Sequence, residues 1–101
     1  MTNQSMSVGN SPQKSSLAVI VYSTLLCPFC HRAKALLRKK GVPFTEIDVG
    51  MDAKKRAEMT ERAHGHHTVP QIFVGDTYVG GCDDLHALEN EGKLDSLLAR
   101  D

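Results

Sequence analysis

Cys27-Pro28-Phe29-Cys30 is the segment of this chain best equipped to do chemistry. Two thiols separated by two residues suit either disulfide exchange or metal ligation. The placement of the pair sharpens that choice. Leu17-Ala-Val-Ile-Val-Tyr22 precedes it, a continuous, largely β-branched run that predicts a strand covered on both faces. Pro28 then suits the first position of a helix, where its missing N–H is no loss. Cys27 becomes the N-cap, its sulfur within reach of the amides of Phe29 and Cys30. Those amides and the positive end of the helix dipole favour a thiolate, the attacking species in disulfide exchange. Cys30, one turn in, is placed to resolve a mixed disulfide, and Phe29 to shield the pair from water on one side.

Metal binding is the alternative. Cys27 and Cys30 with His64, His66 and His67 supply a nominal zinc set. Yet 33 residues separate Cys30 from His64, against the roughly 12–15 of a zinc finger. A pair that follows a buried strand and opens a helix also lacks the usual knuckle turn. The histidines are expected in a solvated loop, and no metal is expected.

Further along, Thr68-Val69-Pro70 precedes a strand, where a proline serves as punctuation or as a cis peptide turning backbone toward a ligand. Gly80-Gly81-Cys82-Asp83-Asp84 reads as an acid-rich helix start, or as an anion cradle of free amides.

The elements that position these residues follow from pattern. Phe29, Ala33, Leu36 and Leu37 mark one helix face, and Gly41 the stop. Phe44 to Val49 alternates as a second strand. Asp52 caps a charged helix to about Ala63, its thin apolar face built from Ala53, Ala57 and Met59 or Thr60. Gln71–Val74 and Thr77–Val79 flank a tight Gly75-Asp76 turn. A helix is expected from about Asp83 to Glu91 and a short one over Leu94–Ala99. The order βαβαββα predicts an α/β fold, a mixed four-stranded sheet with helices on both faces. Residues 1–16, rich in Ser, Asn, Gln and Gly, read as a disordered tail, leaving residues 17–101 as one domain.

Composition sets the outer bounds. The chain has 101 residues, 41% hydrophobic and 24% charged, as expected of an ordinary globular domain. Twelve basic and twelve acidic side chains give a formal net charge of zero, which argues against a nucleic-acid binder. Its longest apolar run, Leu17–Tyr22, is far short of the roughly 20 residues that span a membrane. Three cysteines and no visible secretory signal point to a reducing cytoplasm.

Together, Cys-Pro-Phe-Cys at 27–30, Thr-Val-Pro at 68–70, Pro-Gln-Ile-Phe at 70–73 and Gly-Gly-Cys-Asp-Asp at 80–84 resemble the dithiol glutaredoxins of the thioredoxin fold. The likeness is greatest to the short bacterial ones of the third type and covers about Ala18 to Leu98. It implies a cis Pro70 and a glutathione-dependent thiol–disulfide oxidoreductase with Cys27 and Cys30 catalytic. It also implies a glutathione site over Thr68, Val69, Pro70, Gln71, Gly81, Cys82 and Asp83. There Val69 pairs with the cysteinyl backbone, and the amides of Cys82 and Asp83 hold the γ-glutamyl carboxylate. The Asp83 side chain meets the ammonium, and Gln71 the glycyl end. Glutathione is then the reductant, with no tightly bound cofactor. The partners are disulfide-containing or glutathionylated proteins, and the chain works as a monomer. Two departures stand out: Thr24 occupies a position usually held by Lys or Arg, and Phe29 replaces the commoner Tyr. The first implies a less stabilised thiolate and weaker glutathione binding.

Overall fold

A computed structural model describes residues 18–98. The expected tail at 1–16, together with Leu17 and Ala99, lies outside them. Eight elements follow in order: β1 Val19–Ser23, α1 Pro28–Lys39, β2 Thr45–Asp48, α2 Ala53–Arg62, β3 Gln71–Val74, β4 Thr77–Gly80, α3 Cys82–Asn90 and α4 Leu94–Leu98. One sheet has the order β2-β1-β3-β4. β1 runs parallel to β2, while β1–β3 and β3–β4 are antiparallel. This is the mixed four-stranded sheet that the element order predicts.

The period-2 geometry of a strand sends alternate side chains of β1 to opposite faces. Val19 and Val21, with Ile72 and Val74 of β3, pack against Ala33 and Leu37 of α1, Leu85 of α3 and Leu94 and Leu98 of α4. Tyr22 and Phe73 point the other way, onto Val49, Met59 and Ala63. Helices therefore cover both faces, and a central strand such as β1 has to be apolar throughout. Phe73 meets Tyr22 edge to face at 5.7 Å between ring centres and Tyr78 at 5.2 Å.

The helix ends match local chemistry. Asp52 caps α2, its carboxylate accepting from the Lys55 amide at 3.0 Å. Gly41, at φ +72°, closes α1 in the left-handed region that glycine enters most easily.

Three expectations need correction. The apolar face of α2 is not Ala53 and Ala57, which are exposed, but Met59 and the following Ala63. The helix meets the sheet only near its C-terminal end, so its first turns have nothing to bury against. Phe29 is half exposed and does not join Ala33 and Leu37 in the core; it sits at the open end of α1. The last long helix begins at Cys82, one residue earlier than predicted, because Gly81 provides its N-cap.

Candidate active site

Crossing from β1 to α1, the chain passes through Thr24, Leu25 and Leu26 and delivers Cys27 as the N-cap of α1, with Pro28 at the first helical position. Of the two amides expected to reach the sulfur, Cys30 N–H donates to Cys27 Sγ, at 3.2 Å. The Cys27 thiol in turn donates to the Val69 carbonyl at 3.7 Å. Both thiols are free, so this is the reduced dithiol. Cys27 is partly exposed and Cys30 wholly buried. Burial, then the neighbouring Cys27 sulfur, pushes the Cys30 thiol up to about 12, with the Thr24 backbone and the Lys34 ammonium pulling only part of the way back. One turn of helix thus separates an accessible sulfur from one that stays a thiol until something disturbs it.

Three chain segments meet at a groove beside Cys27. The Val69–Pro70 peptide is cis, as the resemblance implies. A groove of about 690 Å³ runs from Phe29 past Thr68, Val69 and Pro70 to the Gly80–Asp84 segment, with His66 and Tyr78 on its wall. Thr68, Val69, Pro70, Gln71, Gly81, Cys82 and Asp83 all line it, so the structure brings the whole expected set together with Phe29.

At the far end Gly80 takes φ +115°, and a Cβ there would stand 2.3 Å from Asp84 Oδ2. That carboxylate accepts from the Gly81 amide at 2.9 Å, anchoring the first turn of α3. The Gly81 N–H is therefore occupied within the chain. Cys82 and Asp83 line the groove, and their amides belong to a first helical turn that has no carbonyls of its own to meet. Burial pushes the Cys82 thiol up, Arg32 opposes that, and Asp83 adds to it.

Gln71 stands differently from its expected role. Its side chain is buried, and its amide is engaged inside the chain: Nε2 donates to the Thr68 carbonyl at 3.0 Å and to Thr68 Oγ1 at 3.3 Å. Its Oε1 accepts from the Tyr78 hydroxyl at 2.6 Å. Gln71 thereby ties the hairpin to the segment that carries Val69. Tyr78 was not singled out by sequence reasoning; its position on β4, just ahead of Gly80-Gly81, is the available signal.

The histidines do not gather around the thiols. The His64 and His66 rings lie 5.5 and 6.3 Å from the Tyr78 ring, and Arg56 Nε and Nη2 donate to the His67 carbonyl at 3.2 and 3.0 Å. Among the described residues no group of three or more His, Cys, Asp or Glu is placed to hold a metal ion.

A strand-to-helix thiol pair beside a Val–Pro turn, on a mixed sheet of this order, defines a thiol–disulfide oxidoreductase of the thioredoxin fold. The comparisons with known proteins narrow the class. The Glutaredoxin family model matches residues 19–79. A glutaredoxin of Pseudomonas aeruginosa is 57% identical over 81 residues, covering 80% of this chain and 95% of that protein. Glutaredoxin 3 of Escherichia coli is 54% identical over 80 residues, covering 79% and 95%. The solution structure of glutaredoxin from Brucella melitensis superposes with a TM-score of 0.76 at 57% identity, covering 86% of this chain and 94% of that one. A buckwheat glutaredoxin–glutathione complex gives 0.74 at 28% identity, covering 81% and 76%. The chain belongs to the glutaredoxin family, with the character of the short bacterial type-3 members.

Proposed function

We propose that this glutaredoxin draws its electrons from glutathione, reducing protein disulfides and glutathione mixed disulfides through Cys27 and Cys30. The observation that carries the reading is the position of the Cys27 sulfur. It receives the Cys30 amide, faces the Val69 carbonyl and stands beside a groove that ends at the first turn of α3. The solved glutathione complex of a relative in the same fold supports it.

Glutathione lies along the groove in this reading. Its cysteinyl backbone pairs with Val69 as a short added strand. The γ-glutamyl carboxylate meets the amides of Cys82 and Asp83, where the helix dipole favours an anion. The Asp83 carboxylate meets the ammonium. Pro70 and Thr68 shape the wall, Gln71 braces it from behind, and Gly81 sets the start of the helix rather than donating to the ligand.

The Cys27 thiolate attacks a disulfide sulfur, forming one S–S bond as the other breaks and the leaving thiolate takes up a proton. With a glutathionylated substrate, Cys27 itself becomes glutathionylated and free glutathione releases it. With a protein disulfide, Cys30 attacks Cys27, forms the 27–30 bond and expels the partner's second thiol. The protein acts as a monomer in the cytoplasm, with no bound cofactor. Among the described residues no helix is long and apolar enough to cross a membrane.

A coupled assay with glutathione reductase tests this. Cys27→Ser abolishes all turnover, while Cys30→Ser retains deglutathionylation and loses protein-disulfide reduction. Turnover that persists in Cys27→Ser, or that runs only with a flavin thioredoxin reductase as donor, refutes the reading.

A further inference from the structure

Lys34 is the one basic side chain that is buried among the described residues. Its Nζ donates to Glu46 Oε2 at 2.7 Å, and Ser23 Oγ donates to the same oxygen at 2.5 Å. Lys34 first and Ser23 second hold the Glu46 carboxyl below its ordinary range. Only the ammonium is buried, since Glu46 is exposed, and taking a lysine out of water is a poor way to gain stability, because the desolvation penalty consumes most of the attraction. An apolar side chain at position 34 would suit the buried face of α1 at least as well, so the lysine asks for another explanation.

Cys30 supplies one. It lies four residues before Lys34 in α1, and both are buried; residues at that spacing are neighbours on one helix face. The resolving step requires a thiolate at this buried sulfur, and a buried anion is costly without a cation near it. The groups that act on Cys30 are the N-cap Cys27, the Thr24 backbone that follows β1, and Lys34 on α1; Glu46 on β2 is bonded to Lys34, and Ser23 to Glu46. Of the charged ones, Lys34 pulls the Cys30 thiol down. Cys82, on α3, feels Arg32, Asp83 and Cys27 instead.

We infer that Lys34, held by Glu46, which Ser23 also bonds, is a positioning residue whose fixed cation stabilises the Cys30 anion during resolution. The inference rests on the dithiol reading proposed above. In that step Cys30 yields its proton to water or to the departing thiolate, and its sulfur bonds to Cys27. The Cys27–partner bond breaks, and its electron pair leaves with the partner's sulfur. No outside oxidant is needed.

The test measures iodoacetamide alkylation of Cys30 at pH 8.5 in the Cys27→Ser background, followed by mass spectrometry with Cys82 as internal reference. K34M slows Cys30 alkylation roughly tenfold, the scale expected when a nearby cation is lost, and K34R restores it to within about threefold. In the chain with both active-site cysteines, the ratio of protein-disulfide to mixed-disulfide turnover falls by a similar factor in K34M. Should K34M fail to fold, the K34M/E46Q double variant, which removes both partners of the ion pair, shows a drop in the same direction. Unchanged Cys30 alkylation in a folded Lys34 variant, or K34R as slow as K34M, overturns the inference. Loss of glutathione-linked turnover in the wild type would sink the functional reading instead, and the alkylation experiment would still score Lys34.

Discussion

Gly80→Ala should be among the more damaging single-methyl additions in this chain, and the structure gives its size. Two effects add. An alanine at φ +115° sits in a region that side chains avoid, a strain of about 1–3 kcal/mol. The new Cβ would also stand 2.3 Å from Asp84 Oδ2 and 2.8 Å from its Cγ. Asp84 must swing away and release the Gly81 amide, a charge-assisted bond worth about 1.5–3 kcal/mol. Together the loss is about 2.5–6 kcal/mol, which lowers Tm by roughly 10–48 °C for a domain of this size. Urea melts of wild type, Gly80→Ala, Asp84→Ala and the double variant separate the two effects. With Asp84 already gone, Gly80→Ala should carry the backbone strain alone, leaving a coupling of about 1.5–3 kcal/mol between the sites, the size of the lost bond. A coupling near zero refutes the clash. The KM for glutathione should rise alongside, because the first turn of α3 loses its anchor.

Three other outcomes are expected. Brief iodoacetamide treatment of the reduced protein at pH 7 should place one adduct, on Cys27. A thiol at about 12 is anionic in only about one molecule in 10⁵ at that pH, and Cys82 is both buried and raised; equal labelling of Cys82 in peptide maps would contradict this. Because Glu46 titrates below its ordinary 4.5 in the folded chain, its contribution is complete above that value and drains away as the pH falls through the lowered one. The stability gap between wild type and Glu46→Gln should accordingly be full at pH 7 and shrink below about pH 4.5, and a gap constant down to pH 3 would refute it. Thr24→Lys should lower the KM for glutathione several-fold at low salt, by placing an ammonium near the thiol pair, with the gain fading as salt rises; no change at either salt would show that position 24 does not face the ligand.

Much of this molecule can be read from local pattern, because the relevant physics is local. An apolar run with turn signals around it makes a strand, and proline after cysteine makes a capped helix start. Asp52 caps α2 as its type and position predict. What could not be read depends on partners distant in the chain. Nothing near Ala53 or Ala57 says that the sheet ends before reaching them, so their burial was misjudged. Gln71 is a plausible ligand by type, and even its near neighbours Thr68 and Tyr78, three and seven residues away, bond its amide only because the hairpin folds them onto it. Likewise Lys34 looks like any lysine of a charged helix until β2 brings Glu46 alongside it. The residues proposed for the glutathione site, spread from Thr68 to Asp83, became legible as a set only through resemblance, since no spacing rule links a Val–Pro turn to a helix start.

The sheet also leaves β2 at one margin, with a row of unpaired backbone groups of the kind that templates self-association. Glu46 and Asp48 stand on that rim, and both are exposed. If two copies met there in antiparallel register, carboxylates would face carboxylates across the seam. A catalyst that must collide with many strangers at a single sulfur carries, on its opposite flank, a means of not sticking to itself.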